Sequence, residues 1–158
     1  MVTVVKTAVE LSQLVDEFTN RINDIPEEIF SAKPRPEKWS KKEVLGHLID
    51  SASNNLRRFI CGQYDSSPKI TYQQDFWVMA NDYQNIKKEN VIQLWKLLNE
   101  QICEVLRTMP DQNASLLCDT GKDNIQLHSI EWLAEDYIKH LKHHLNQILP
   151  GSFPITYP

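Results

Sequence analysis

Two histidines near the carboxyl end of the chain are spaced so that both can reach one metal ion. His140 and His144 are four positions apart, in a segment that also contains His143. Each residue of an α-helix advances about 100° around the axis, so His144 lies roughly 40° from His140 and one turn further along. Imidazole is a common ligand of divalent ions such as zinc, so a shared metal is one chemistry that this spacing allows.

The helical projection also places this pair on the apolar side of its helix. The residues within roughly 20 to 100° of His140 on that side are Leu133, Tyr137, Leu141 and Ile148. His143 falls roughly 60° the other way, so we expect it at the rim or on the surface. Buried imidazoles need partners for their ring nitrogens. Either a metal or other polar side chains in the core can supply them, and the pair alone leaves both interpretations open.

A third ligand must come from another part of the chain, and the remaining histidines are His47 and His128. His128 lies just before the last predicted helix, about three turns from His140, so it cannot easily converge on the pair. His47 lies one to two turns into the second predicted helix, and antiparallel or crossed packing would bring it level with the pair. Three neutral imidazoles leave at least one coordination position for water or substrate, which is typical of a reactive site.

Four long amphipathic segments are predicted to position these residues. Apolar residues recur with a period near 3.6 over residues 11–25, 40–60, 90–109 and 129–149. The second segment has the clearest start, because Ser40 followed by Glu43 forms a capping box. Ser129 is the predicted cap of the last segment, and Asn90 that of the third.

The connections between these segments are unequal. Asp24 as a cap, followed by Pro26 in the first turn, predicts a kink or a short second helix that continues to Phe30. Within residues 63–89, the stretch from Gln73 to Ile86 is expected to hold one or two short helices, and residues 116–127 a possible hairpin. We therefore predict an all-α fold, a four-helix bundle with a long crossover connection in the middle, as a single domain over residues 1–158.

Composition excludes several classes of function. The net charge of −4, with dispersed basic residues, argues against nucleic-acid binding, and no glycine-rich phosphate loop occurs. No apolar run is long enough to cross a membrane, and the first residues do not read as a secretion signal, so a cytoplasmic protein is expected. The widely spaced Cys61, Cys103 and Cys118 are predicted to be reduced structural thiols.

Two segments together resemble the DinB-like superfamily of four-helix-bundle proteins. The first runs from Trp39 to Asp50 and contains His47, and the second runs from His140 to Ile148. The resemblance covers nearly the whole chain. It implies a divalent metal, most often nickel or zinc, bound by His47, His140 and His144.

The resemblance also implies a range of activities. Relatives include metal-dependent hydrolases, and thiol S-transferases or isomerases that use bacillithiol, mycothiol or glutathione. We therefore expect a metal-dependent enzyme that activates water or a low-molecular-weight thiol against a small-molecule substrate. The alternative is a metal-binding or structural bundle without catalysis. Relatives often pair, so a homodimer is a further expectation.

Several polar residues near the predicted ligands are candidates for supporting roles. Asp50, three positions after His47, is the candidate catalytic base or orienting carboxylate, and its alternative is a solvated helix residue. Asp136 and Gln147 flank the histidine pair and could bond to its rings. Asn54 and Arg58 could bind an anionic substrate, although a surface role is the simpler interpretation.

Overall fold

The computed structural model describes residues 3–157, which fold into a helical bundle with one small hairpin. In chain order the helices are α1 (Thr3–Asn23), α2 (Glu27–Phe30), α3 (Lys41–Cys61), α4 (Gln74–Asn81), α5 (Lys88–Thr108) and α6 (Ile130–Ile148). The strands β1 (Leu117–Asp119) and β2 (Leu127–Ser129) pair antiparallel between α5 and α6. Short 3-10 turns span Tyr83–Asn85 and Asp111–Ser115. The predicted all-α four-helix bundle is confirmed.

Side-chain caps define the two helices that carry the histidines. Ser40 accepts from the backbone N–H of Glu43, whose carboxylate accepts from the Ser40 backbone N–H, so the predicted capping box is present. Ser129 accepts from the N–H of Trp132 and caps α6 as predicted. Because these caps satisfy otherwise unpaired N–H groups, they fix where the two helices begin.

Other predicted boundaries were wrong. The first helix begins at Thr3 rather than Leu11, because Val4 and Ala8 extend the same buried face despite the weak helix propensity of the β-branched start. Pro26, and not Asp24, is the N-cap residue of α2. The helix predicted to begin at Asn90 begins at Lys88 without a side-chain cap.

The ends of the long helices show the topology. The Lys88 ammonium at the start of α5 donates to backbone carbonyls at the end of α1, and that of Lys41 at the start of α3 donates to the carbonyl of Ile148 in α6. Ser40 contacts Gln84, just before α5, at 2.6 Å. Thus α3 and α5 begin at the end of the bundle where α1 and α6 finish. The connection between the parallel helices α3 and α5 must therefore return along the bundle, which is the predicted crossover.

Helix packing determines which faces meet. Helix α1 contacts α5 and α6, and α3 contacts the same two helices, so α1 and α3 lie on a diagonal. Large side chains such as Phe18, Trp95 and Leu141 fill the centre and are fully buried. Because α3 and α6 are antiparallel neighbours, the first half of α3 lies beside the second half of α6. Among residues 3–157, none of the helices combines the length and apolar character that a membrane span requires.

Candidate metal site

Three histidines converge where α3 and α6 cross. One ring nitrogen from each of His47, His140 and His144 lies within 4.8 Å of the others. The Nε2 atoms of His47 and His140 are 3.3 Å apart. The ring of His144 lies 4.5 Å from each of the other two rings, between centroids. The structure therefore brings together the three histidines that the sequence singled out.

The donor set and spacing fit a divalent ion. Two ligands of a tetrahedral ion with metal–nitrogen bonds of about 2.0–2.1 Å lie about 3.3 Å apart, which is the distance between Nε2 of His47 and Nε2 of His140. Three imidazole nitrogens suit borderline ions such as zinc and nickel better than magnesium or calcium, which prefer oxygen.

The environment keeps these rings uncharged. Burial, and then the nearby His144, lower the pKa of His47 from 6.5 to about 4. Burial and the surrounding histidines lower the pKa of His140 to about 3. Burial also lowers the pKa of His144, against the opposing effect of its hydrogen bond to Gln147. At neutral pH all three imidazoles therefore keep a lone pair that a metal can use.

Neighbouring side chains orient two of the rings. Nδ1 of His144 donates to Oε1 of Gln147 at 2.9 Å, which leaves its Nε2 as the free lone pair and is the contact expected of Gln147. Nδ1 of His140 lies 3.5 Å from the Ser51 hydroxyl. His47 is fully buried and its Nδ1 has no partner among residues 3–157, while its ring lies 5.1 Å from that of Trp39.

Asp50 is buried but bonds away from the histidine rings. Its Oδ1 accepts from the Tyr83 hydroxyl at 2.6 Å and from the Asn81 amide at 3.0 Å. Burial raises the pKa of Asp50 to about 6, against these two hydrogen bonds. The expectation of a solvated carboxylate is wrong, because the crossover connection covers it and the absent side chain of Gly46 makes room for the Tyr83 ring. Its catalytic role stays a prediction.

The other candidate residues lie in different settings. His143 is half-buried beside His144 and outside the group of three, and His128 stacks on Trp132.

Asn54 is buried and its amide donates to a backbone carbonyl of its own helix, which explains its presence there without a ligand. Arg58, one turn later, is half-buried rather than fully exposed, and it lines a cavity that His140 also borders.

Two cavities lie near the three histidines. One of about 170 Å³ is bordered by His140 itself, together with Asp136 and Tyr157. An open groove of about 1170 Å³ is bordered by none of the three, but its lining includes Trp39 and Gln147, the neighbours of His47 and His144. The smaller cavity therefore reaches one of the candidate ligands directly.

Some neighbours of the site were not predicted. Ser51 is one turn after His47, so its place on the same stripe was readable, although no pattern paired it with His140. Tyr157 belongs to an irregular tail beyond Pro150, and no sequence periodicity indicated that its ring would lie 5.7 Å from that of His140. Trp39 is the first residue of the segment that contains His47, but the sequence did not indicate that the two rings would lie side by side.

The chain is therefore a helical bundle in which three histidines from two neighbouring helices form a cluster suited to a metal ion. The sequence profile of the DinB superfamily matches residues 10–148. The chain therefore belongs to the DinB superfamily, as its two histidine segments indicated. No match was found among curated proteins.

Solved structures with the same fold include enzymes of two kinds. YfiT from Bacillus subtilis, a probable metal-dependent hydrolase with an unusual four-helix bundle topology, matches with a TM-score of 0.78 and 21% identity, over 91% of this chain and 83% of YfiT. A mycothiol-dependent maleylpyruvate isomerase matches with a TM-score of 0.67 and 9% identity, over 89% of this chain and 59% of the isomerase. At these identities the likeness establishes the shared fold.

Proposed function

We propose that this chain is a metal-dependent enzyme in which His47, His140 and His144 hold a divalent ion, zinc or nickel, that activates water or a thiol. The observation that carries the proposal is the convergence of three uncharged imidazoles, two of them with Nε2 atoms 3.3 Å apart. A purely structural zinc site usually has four protein ligands. Three ligands leave a position for a reacting molecule.

The bound ion would supply one chemical effect, which is to lower the pKa of a coordinated water or thiol so that hydroxide or thiolate forms near neutral pH. The protein contributes the rest. Gln147 fixes the His144 ring through its hydrogen bond, and Ser51 lies at hydrogen-bonding distance from the His140 ring. Burial keeps protons off His47 and His140, so the ligands remain available well below neutral pH.

Two kinds of reaction are compatible with this arrangement. The name of YfiT favours hydrolysis, and that of the isomerase favours use of a low-molecular-weight thiol. A cavity at His140 and a separate groove beside Trp39 and Gln147 support a reaction with two substrates, because a thiol and its acceptor could bind in different places. The large groove is the one with room for a thiol of the size of glutathione or bacillithiol.

The test uses untagged protein loaded with zinc or nickel. One panel offers esters and amides, so that water is the nucleophile, and a second offers electrophiles with glutathione or bacillithiol. We expect turnover in one panel that disappears on chelation and in His140→Ala but persists in His143→Ala. A protein that holds the metal yet turns over neither panel would instead be a non-catalytic metal-binding bundle, contrary to the proposal.

A further inference from the structure

The smaller cavity has the features of a binding pocket for part of a substrate. Its volume of about 170 Å³ equals that of roughly five to six water molecules at about 30 Å³ each. His140 lines this cavity, and so do Arg58 and Tyr72. A small molecule in this cavity would therefore touch a proposed metal ligand. The inference rests in that respect on the proposed function.

Arg58 brings a positive charge to this cavity. Of the five N–H donors of a guanidinium, its Nε and one on Nη2 bond to the carbonyl oxygen of Ile70, at 3.1 and 2.8 Å. One donor on Nη1 meets Oδ1 of Asn55 at 3.4 Å. One donor on each terminal nitrogen is left without a partner among the residues from 3 to 157. Two donors on adjacent nitrogens match the two oxygens of a carboxylate.

No Asp or Glu among residues 3–157 forms an ion pair with this guanidinium. Across residues 3–157, no Asp or Glu oxygen lies within the 4.0 Å of an Arg58 nitrogen that an ion pair requires. Asp136 borders the same cavity, but its Oδ2 accepts a hydrogen bond from the Tyr157 hydroxyl at 2.8 Å. Asp136 attracts the Arg58 charge through space without contacting it, so an anionic ligand in the cavity would add the direct ion pair that this half-buried cation lacks.

We propose that this cavity binds the carboxylate of a small organic substrate, with Arg58 as its anchor. The rest of the wall suits the carbon part of such a molecule, because Leu133 and the rings of Tyr72 and Tyr137 border the cavity. A carboxylate on Arg58 would hold the remainder of the substrate against the His140 side of the site. Arg58 is thus a specificity-determining residue of the proposed enzyme.

The probe is propionate, compared with propionamide, which has nearly the same shape and no charge. Binding of each is followed by NMR titration of zinc-loaded protein. We expect propionate to bind at least tenfold more tightly than propionamide, and Arg58→Met to remove that preference. The matched control is Arg57→Met, which removes the exposed neighbouring arginine and should leave propionate binding unchanged. Equal binding of propionate by wild type and Arg58→Met would overturn the proposal.

Arg58 also holds the backbone at Ile70, so Arg58→Met could disturb the fold. Arg58→Lys keeps the charge and a donor for that carbonyl but loses the paired donors for a carboxylate. We expect it to retain the fold, to bind propionate about threefold or more weakly than wild type, and to bind it more tightly than a folded Arg58→Met. Wild-type affinity in Arg58→Lys would contradict a bidentate anchor.

Repeating the titration with metal-free protein separates this inference from the proposed function. Propionate binding that needs Arg58 with and without zinc supports the cavity assignment. Binding that disappears without zinc and ignores Arg58→Met would show that the carboxylate coordinates the metal directly, which overturns the assignment and leaves the metal site intact. A protein that takes up no zinc but still binds propionate through Arg58 would refute the metal-dependent function alone.

Discussion

Two of the neighbouring helix pairs, α1 with α5 and α3 with α6, differ in what they bury. The interface of α1 with α5 is apolar, and the buried residues of these helices include the polar side chains Thr7 and Asn99 alone. Helix α3, which faces α6, buries six polar side chains. These are Lys42, His47, Asp50, Ser51, Asn54 and Asn55.

This difference suggests that one helix pair mainly stabilises the fold and the other mainly holds the candidate site. Buried polar groups cost free energy unless they are paired, so a helix that collects six of them is a poor source of stability on its own. The α1–α5 pair, called the apolar half below, can offset that loss of stability, because it packs against α3 through α5 and against α6 through α1. The α3–α6 pair, called the polar half below, can therefore place imidazoles, hydroxyls and a guanidinium around two cavities.

The largest effect on stability is expected in the apolar half. Leu11→Ala removes a fully buried side chain of α1 and should lower the free energy of unfolding by roughly 2–5 kcal/mol, as large-to-small core substitutions do. Zinc uptake per folded molecule should not change, because this position lies outside the three histidines. Urea unfolding and zinc titration at low denaturant measure the two quantities. Loss of zinc binding in folded Leu11→Ala protein would contradict the view that the apolar half stabilises the fold without forming the metal site.

A smaller effect, confined to the polar half, is expected for Gln147. Its exposed side chain contributes little to packing, but it accepts the Nδ1–H of His144. Gln147→Ala should therefore weaken zinc binding by about 10- to 100-fold, the usual effect of removing a hydrogen-bond partner of a ligand, with little change in the urea midpoint. Competition with a zinc-binding dye gives the affinity. Wild-type affinity in this variant would mean that the His144 ring is held by packing alone.

The pH dependence of metal-free protein offers a third comparison. His47 and His140 have pKa values of about 4 and about 3 when folded and 6.5 when unfolded, so the unfolded chain binds more protons between these limits. Their contribution to stability is present above pH 6.5 and is lost as the pH falls. Asp50, with its pKa raised from 3.8 to about 6, acts in the opposite direction between those values.

Two histidines outweigh one carboxyl, so chelator-treated protein should have a lower urea midpoint at pH 5 than at pH 7.5. Replacing His140 by Asn should reduce this pH dependence, because a group that titrates differently in the two states is removed. A midpoint that stays constant or rises at pH 5 would show that the buried carboxyl dominates.

The sequence was sufficient to predict the fold and the group of three histidines, since both depend on local patterns. The capping box at Ser40 and the cap at Ser129 define where α3 and α6 begin, and helical spacing then determines which residues share a face with His47 and His140. The antiparallel packing of the two helices was the one additional assumption needed. Helices α3 and α6 are indeed antiparallel neighbours in the structure.

The setting of Arg58 and Asp50 could not be predicted in the same way. Both belong to a polar stripe of α3 that is typical of a solvated face. Whether such a stripe is covered depends on non-local packing, here of the connection that carries Ile70 and Tyr83 and of the tail that carries Tyr157. Those segments have no helical period, so their positions are visible only in the folded structure.

Metal content of untagged protein tests the central claim most directly. Elemental analysis should find about one divalent ion, zinc or nickel, per chain in the wild type. We expect the same in His143→Ala, which removes the histidine next to the group of three, and little or no metal in His140→Ala and His144→Ala. Wild-type protein without metal, or full occupancy in His140→Ala, would contradict a site built from His47, His140 and His144.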